Sequence, residues 1–107
     1  MRTLKFNVDG QHIEKDPKCN FDGLVPGTEG YVQAEFSFSP EWKGMVKVAG
    51  FITRFQEHNP QILSDGNTCM IPASALEHKR FKIYIVGKND TVKLTTNKVS
   101  VCQNGGN

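Results

Sequence analysis

Apolar and polar residues alternate along most of this chain, in short runs separated by turn-forming pairs. Leu4, Phe6 and Val8 are spaced by Lys5 and Asn7, and Asp9-Gly10 closes the run. In a strand successive side chains point to opposite faces, so the run predicts a strand with one wet face, ended by a tight turn. A short run through Ile13 completes an N-terminal hairpin. Residues 14–30 then lose the alternation and gather glycine and proline around Val25-Pro26-Gly27. They read as a long irregular loop, which in a domain this small is expected to be functional or partly mobile.

The alternation returns at Tyr31, with Val32, Ala34, Phe36 and Phe38 on one side and Gln33, Glu35, Ser37 and Ser39 on the other. Ser39-Pro40-Glu41 ends that strand, and Trp42 and Lys43-Gly44 follow. Met45 to Phe55 gives another extended run in which Gly50 marks a bulge or a close backbone approach. Gln61-Ile62-Leu63 and Thr68 to Ile71 flank Asp65-Gly66 and read as partners in a hairpin. Pro72 opens the one helix-favouring stretch, a short turn over residues 72–77. Phe81, Ile83 and Ile85 alternate with Lys82 and Tyr84 up to Gly87, and two further runs follow, Thr91 to Leu94 and Lys98 to Cys102. Seven or eight short strands at this spacing predict an antiparallel sandwich or small barrel. The last residues, 103–107, have the composition of a flexible Gly-rich tail.

A length of 107 residues fits one domain, here residues 1–102, and can bury one core without metals or disulfides. No apolar stretch reaches the roughly 18 residues that cross a bilayer, and the start is not a signal-type block. A protein folded in the cytoplasm, without a membrane, is the expectation. Thirteen basic against 11 acidic residues leave a net charge of +2. Lys and Arg are scattered along the chain, which argues against nucleic acid as a partner. The densest run, His78-Lys79-Arg80, reads as a solvated loop. Cys19, Cys69 and Cys102 are odd in number and form no Cys-x-x-Cys pair, which suits a reducing compartment. Cys69 and Cys102 fall inside strand patterns and read as small buried hydrophobes.

Groups able to do chemistry occur without a local arrangement for it. His12, His58 and His78 stand isolated, Ser74 lacks a nucleophile elbow, and Asp9, Asp22, Asp65 and Asp90 sit in turns, where Asp bonds its own backbone. No catalytic, metal or cofactor site is expected. Trp42 reads as a core plug more readily than as an exposed anchor. Tyr31, Phe55 and Tyr84 are the aromatics offered as a binding surface.

One ordered set of motifs goes further. Phe38-Ser39-Pro40-Glu41-Trp42-Lys43-Gly44 is followed by Asp65-Gly66-Asn67-Thr68-Cys69-Met70-Ile71-Pro72, then Leu76, Phe81, Val86-Gly87 and Leu94-Thr95-Thr96-Asn97-Lys98-Val99. Over residues 31–102 this set resembles an immunoglobulin-like sandwich domain of tail, baseplate and fibre-type virion proteins from phages and prophages of Gram-positive bacteria. The resemblance implies an immunoglobulin-like fold with Trp42, Cys69, Ile71, Pro72, Leu76, Phe81 and Gly87 as framework. It also implies a non-enzymatic role in the virion, assembled in the host cytoplasm, docking to other virion proteins or to copies of itself. Two other classes compete. One is a carbohydrate-binding module for host-surface glycans, with Trp42, Tyr31 or Tyr84 as stacking platforms. The other is a small phage-encoded inhibitor or single-strand-binding protein.

Overall fold

The first alternating run is realised as strand β1 (Arg2–Asp9), with Leu4, Phe6 and Val8 turned into the core. The computed structural model describes residues 1–54 and 56–103. A two-residue turn with Gly10 at φ +58° leads into β2 (His12–Lys15), antiparallel to β1. Glycine takes that left-handed position without strain, which is why Asp-Gly closes the run.

Strand β3 (Val32–Phe38) then pairs with β1 in parallel, from Arg2 opposite Val32 to Val8 opposite Phe38. Parallel neighbours need a crossover of a dozen or more residues. The long glycine- and proline-containing stretch before β3 supplies it, and it is tied down along its length. The Arg2 guanidinium donates to the carbonyls of Asn20 and Asp22, at 3.0 and 2.6 Å. Phe21 sits edge-on to Phe6 at 5.5 Å between ring centroids, Leu24 is buried, and the Gly27 N–H donates to the Leu76 carbonyl.

A 3-10 turn (Pro40–Trp42) precedes β4 (Val46–Thr53), β5 (Gln56–Glu57), β6 (Gln61–Ile62) and β7 (Thr68–Met70). Helix α1 (Ala73–Leu76) is a single turn, followed by β8 (Arg80–Lys88), β9 (Lys93–Thr95) and β10 (Val99–Cys102). The protein is an all-β sandwich of two sheets. The first has the order β2-β1-β3-β7 and the second β10-β8-β4-β5, with β6 also on β4 and β9 also on β8. The described residues form ten strands because β5 with β6, and β9 with β10, each share one edge of a longer strand. Every pairing except β1 with β3 is antiparallel. With β3 and β7 in one sheet and β4, β8 and β10 in the other, the two sheets are interleaved along the chain.

The expected hairpin around Asp65-Gly66 is not one. Residues 64–67 do close a turn, with Asn67 N–H to Ser64 O and Ser64 N–H to Thr68 O both at 2.9 Å. Its two arms then part, β6 joining β4 and β7 joining β3 in the opposite sheet. A tight-turn dipeptide specifies the reversal of the chain and leaves open which strands pair beyond it.

The apolar faces of the two sheets meet in one core containing Phe6, Phe36, Phe51, Phe81, Ile83 and Ile85. Each side chain of this size contributes roughly 1.5–3 kcal/mol on burial. On the β2–β10 side the sheets are joined through Asn97. Its side-chain amide brackets Ile13 as a peptide group would, accepting from the Ile13 N–H at 2.8 Å and donating to the Ile13 carbonyl at 3.2 Å. Thr96 is buried beside it, and its hydroxyl accepts from the Ile85 N–H at 3.0 Å. This splits β9 from β10. The Thr-Thr-Asn motif is therefore the closure of a seam between sheets.

Candidate functional site

The framework residues sort onto the two ends of the sandwich. Trp42 is fully buried, donates from Nε1 to the Gly10 carbonyl at 2.8 Å and lies 5.3 Å from the Phe38 ring. Its indole also lies on Gly87, where a Cβ would stand 2.5 Å from Cζ3. The Trp and the glycine that ends β8 are one fitted pair, and Trp42 is a core plug. Ile71, Leu76 and Phe81 are buried, and Pro72 is the N-cap position of α1. The Cys69 thiol is buried, and desolvation of its thiolate pushes its pKa up to about 12, so it is inert. Cys102 differs from its expected burial. It points outward, because inward-facing Val99 and Val101 put Ser100 and Cys102 on the other face of β10.

The aromatics offered as a binding surface do not come together. Tyr31 is 53% exposed at the entry to β3. Tyr84 is engaged on three sides. Its ring covers Gly50 on β4, where a Cβ would meet it at 2.3 Å, Lys98 Nζ lies 5.5 Å from the ring centroid, and its hydroxyl donates to Glu57 at 2.5 Å. The Glu57 carboxylate, with burial and its negative charge adding, raises the phenol to about 12. A stacking platform needs a free ring face, and neither face of Tyr84 is free. Phe55 lies outside the described residues.

Two gatherings of polar side chains were not visible in the sequence. The first corrects the isolated reading of His58. The ring is buried at the α1 end, Nε2 is 2.5 Å from the Thr53 hydroxyl and Nδ1 is 2.9 Å from the Ser74 hydroxyl. His78 lies beside it, its ring tilted by 52° at 5.9 Å between centroids. The line Thr53–His58–Ser74 has a hydroxyl where a hydrolytic triad has a carboxylate. Its geometry satisfies a buried histidine between two hydroxyls. Gln103 braces the same end, donating to the carbonyls of Leu76 and His78 at 2.9 and 2.7 Å.

The second gathering corrects the scatter of Lys and Arg. The inward residues of β8 are Phe81, Ile83, Ile85 and Gly87, so Arg80, Lys82, Tyr84, Val86 and Lys88 face out. The register places Lys93 beside Lys88, and Ser100 beside Lys82. Lys98 lies over Tyr84 on the same face. At the α1 end Arg54, Lys79, Arg80 and Lys82 line a groove of about 890 Å³ with His78 and Gln103. Arg54, Arg80, Lys82, Lys88, Lys93 and Lys98 are all exposed. None of the six has a carboxylate within 4 Å among the described residues, where the one ion pair is His12 with Glu14. Glu57 is the carboxylate of this face, held by Tyr84, and Glu77 lies at the groove rim. The outer face of the other sheet is different. There Lys5 and His12 stand among Asp9, Glu14 and Glu35. A net charge of +2 thus conceals two faces of opposite tendency.

No protein-family model, no curated protein and no solved structure matches this chain, so sequence motif and geometry together carry the functional reading.

Proposed function

We propose that this chain is a non-enzymatic module of a phage or prophage virion, in a tail, baseplate, fibre or capsid-decorating position, where it docks to other virion proteins or to copies of itself. The observation that carries the reading is the fate of the resemblance motifs. Trp42 with Gly87, Ile71 with Leu76 and Phe81 as core residues, and Thr96 with Asn97 at the seam all serve to build the sandwich. The motifs that recur in that family thus define a frame, and the faces and loops are left free to carry contacts. A rigid frame repeated on a symmetric particle binds through many weak contacts summed by avidity. Exposed Tyr31 is a contact point of the size and character that such interfaces favour.

The test is mass spectrometry of density-purified particles from the source phage or induced prophage. The chain is expected at a fixed ratio to the major tail or capsid protein. Its absence from particles, while present in the lysate, would overturn the reading.

A further inference from the structure

We propose that the outer face of the β10-β8-β4 sheet binds a single strand of nucleic acid laid flat across it. This goes beyond the virion reading and stands on a separate observation, the six exposed cations that share one face without a carboxylate partner. Unpaired like charges repel one another, and a face that keeps them is complementary to a polyanion.

The arrangement fits a strand better than a duplex or an acidic peptide. Arg54 and Arg80 stand at the groove, Lys82 and Lys98 follow along the sheet, and Lys88 and Lys93 pair at the far end. From Arg80 to Lys88 this runs along one strand for about 27 Å at 3.4 Å per residue, enough for about four nucleotides, the short end of the range for sheet-based modules. The described residues of this face form a sheet surface, and no helix or ribbon projects from it to enter a major groove. Between the cations lie Ile52, Val48 and Val86, with Tyr84 at the centre, and exposed Val46 and Ile62 at one edge. Unstacked bases cover such apolar surface while their phosphates meet the cations, whereas the carboxylates of an acidic peptide match only the charges. With both its faces occupied, Tyr84 is part of the floor, and affinity comes from the phosphate contacts.

The experiment measures fluorescence anisotropy of a labelled oligothymidylate with the full chain across a salt series. Binding is expected to fall with log salt at a slope of about −3, roughly a sixtyfold loss between about 50 and 200 mM. The double variant Lys82→Glu with Lys98→Glu is expected to lower affinity more than tenfold and flatten the slope by at least one. Lys5→Glu with Lys18→Glu, which makes the same charge change outside this face, is expected to leave both unchanged. Circular dichroism confirms that both variants fold. Absence of binding at about 50 mM salt, equal losses from the two double variants, or equal competition by polyglutamate would each overturn the proposal.

Discussion

The two ends of the sandwich are closed by opposite means. At one, Trp42 fills the space between the sheets with a single ring seated on Gly87 and held by one hydrogen bond to Gly10. At the other, α1 lies over a line of side-chain hydrogen bonds from Thr53 through His58 to Ser74, with Gln103 binding the chain that follows. A dry plug gains its stability from area and fit, and any change of volume is felt directly. A polar closure gains little net energy per bond and is costly when one partner is left alone in the interior. The difference makes the Trp42 end the more rigid of the two. The α1 end, where the polar groups and the cationic groove adjoin, is the end with room for chemistry or contact.

The largest expected effect is at the plug. Trp42→Ala should cost about 4 kcal/mol, a large part of the 5–15 kcal/mol typical of a domain, as read by urea unfolding followed in the far ultraviolet. A loss below about 1 kcal/mol would remove Trp42 from the frame. Next comes a contrast between two glycines on neighbouring strands. Gly87→Ala drives a Cβ into a buried indole that has nowhere to go and should cost about 3 kcal/mol. Gly50→Ala meets the Tyr84 ring, which can swing toward solvent, and should cost about 1 kcal/mol. Equal costs would mean that the plug is no more rigid than the outer face.

At the polar end, His58→Leu should cost about 2 kcal/mol by leaving the Thr53 hydroxyl unpaired, and adding Thr53→Val should recover about half of it. If the second change adds a further loss, the two side chains are not coupled as described. The smallest effect is read out at alkaline pH. Tyr84 ionises at about 12 in the folded protein against an ordinary 10, so the folded state holds this proton more tightly. The contribution to stability is therefore whole below pH 10 and is lost as pH rises from 10 to 12. In a Tyr31→Phe background, Glu57→Gln should bring the phenolate absorbance midpoint down toward 10 and slightly lower stability at neutral pH, where the contribution is whole. A midpoint that stays near 12 would assign the shift to burial.

The comparison also separates what the sequence could disclose from what it could not. Strands β1, β3 and β8 were legible because one face of each is buried and the alternation is long. Trp42 as plug, and a close approach at Gly50, followed from residue type and position. The partner of β7 was not legible, since a turn signal is local and pairing is not. Nor was the parallel β1–β3 pair, whose only trace was the long stretch before Tyr31. His58 looked isolated because Thr53 and Ser74 lie five and sixteen residues away, brought to it by the fold of α1 against β4. The cationic face was hidden for the same reason. Its members lie on several strands, and only the register of those strands makes neighbours of Lys88 and Lys93.

Asn97 has a consequence for how molecules of this kind meet one another. An unpaired strand edge is a template on which a foreign strand can grow, and sandwiches have such edges on both flanks. With a side-chain amide serving as a surrogate peptide against Ile13, the flank formed by β2 and β10 is stitched shut. The opposite flank is guarded only by the brevity of β5, β6 and β7, two or three residues each. Unwanted polymerisation, or a deliberate strand exchange with a neighbour, therefore has one door, and losing the amide of Asn97 would open a second.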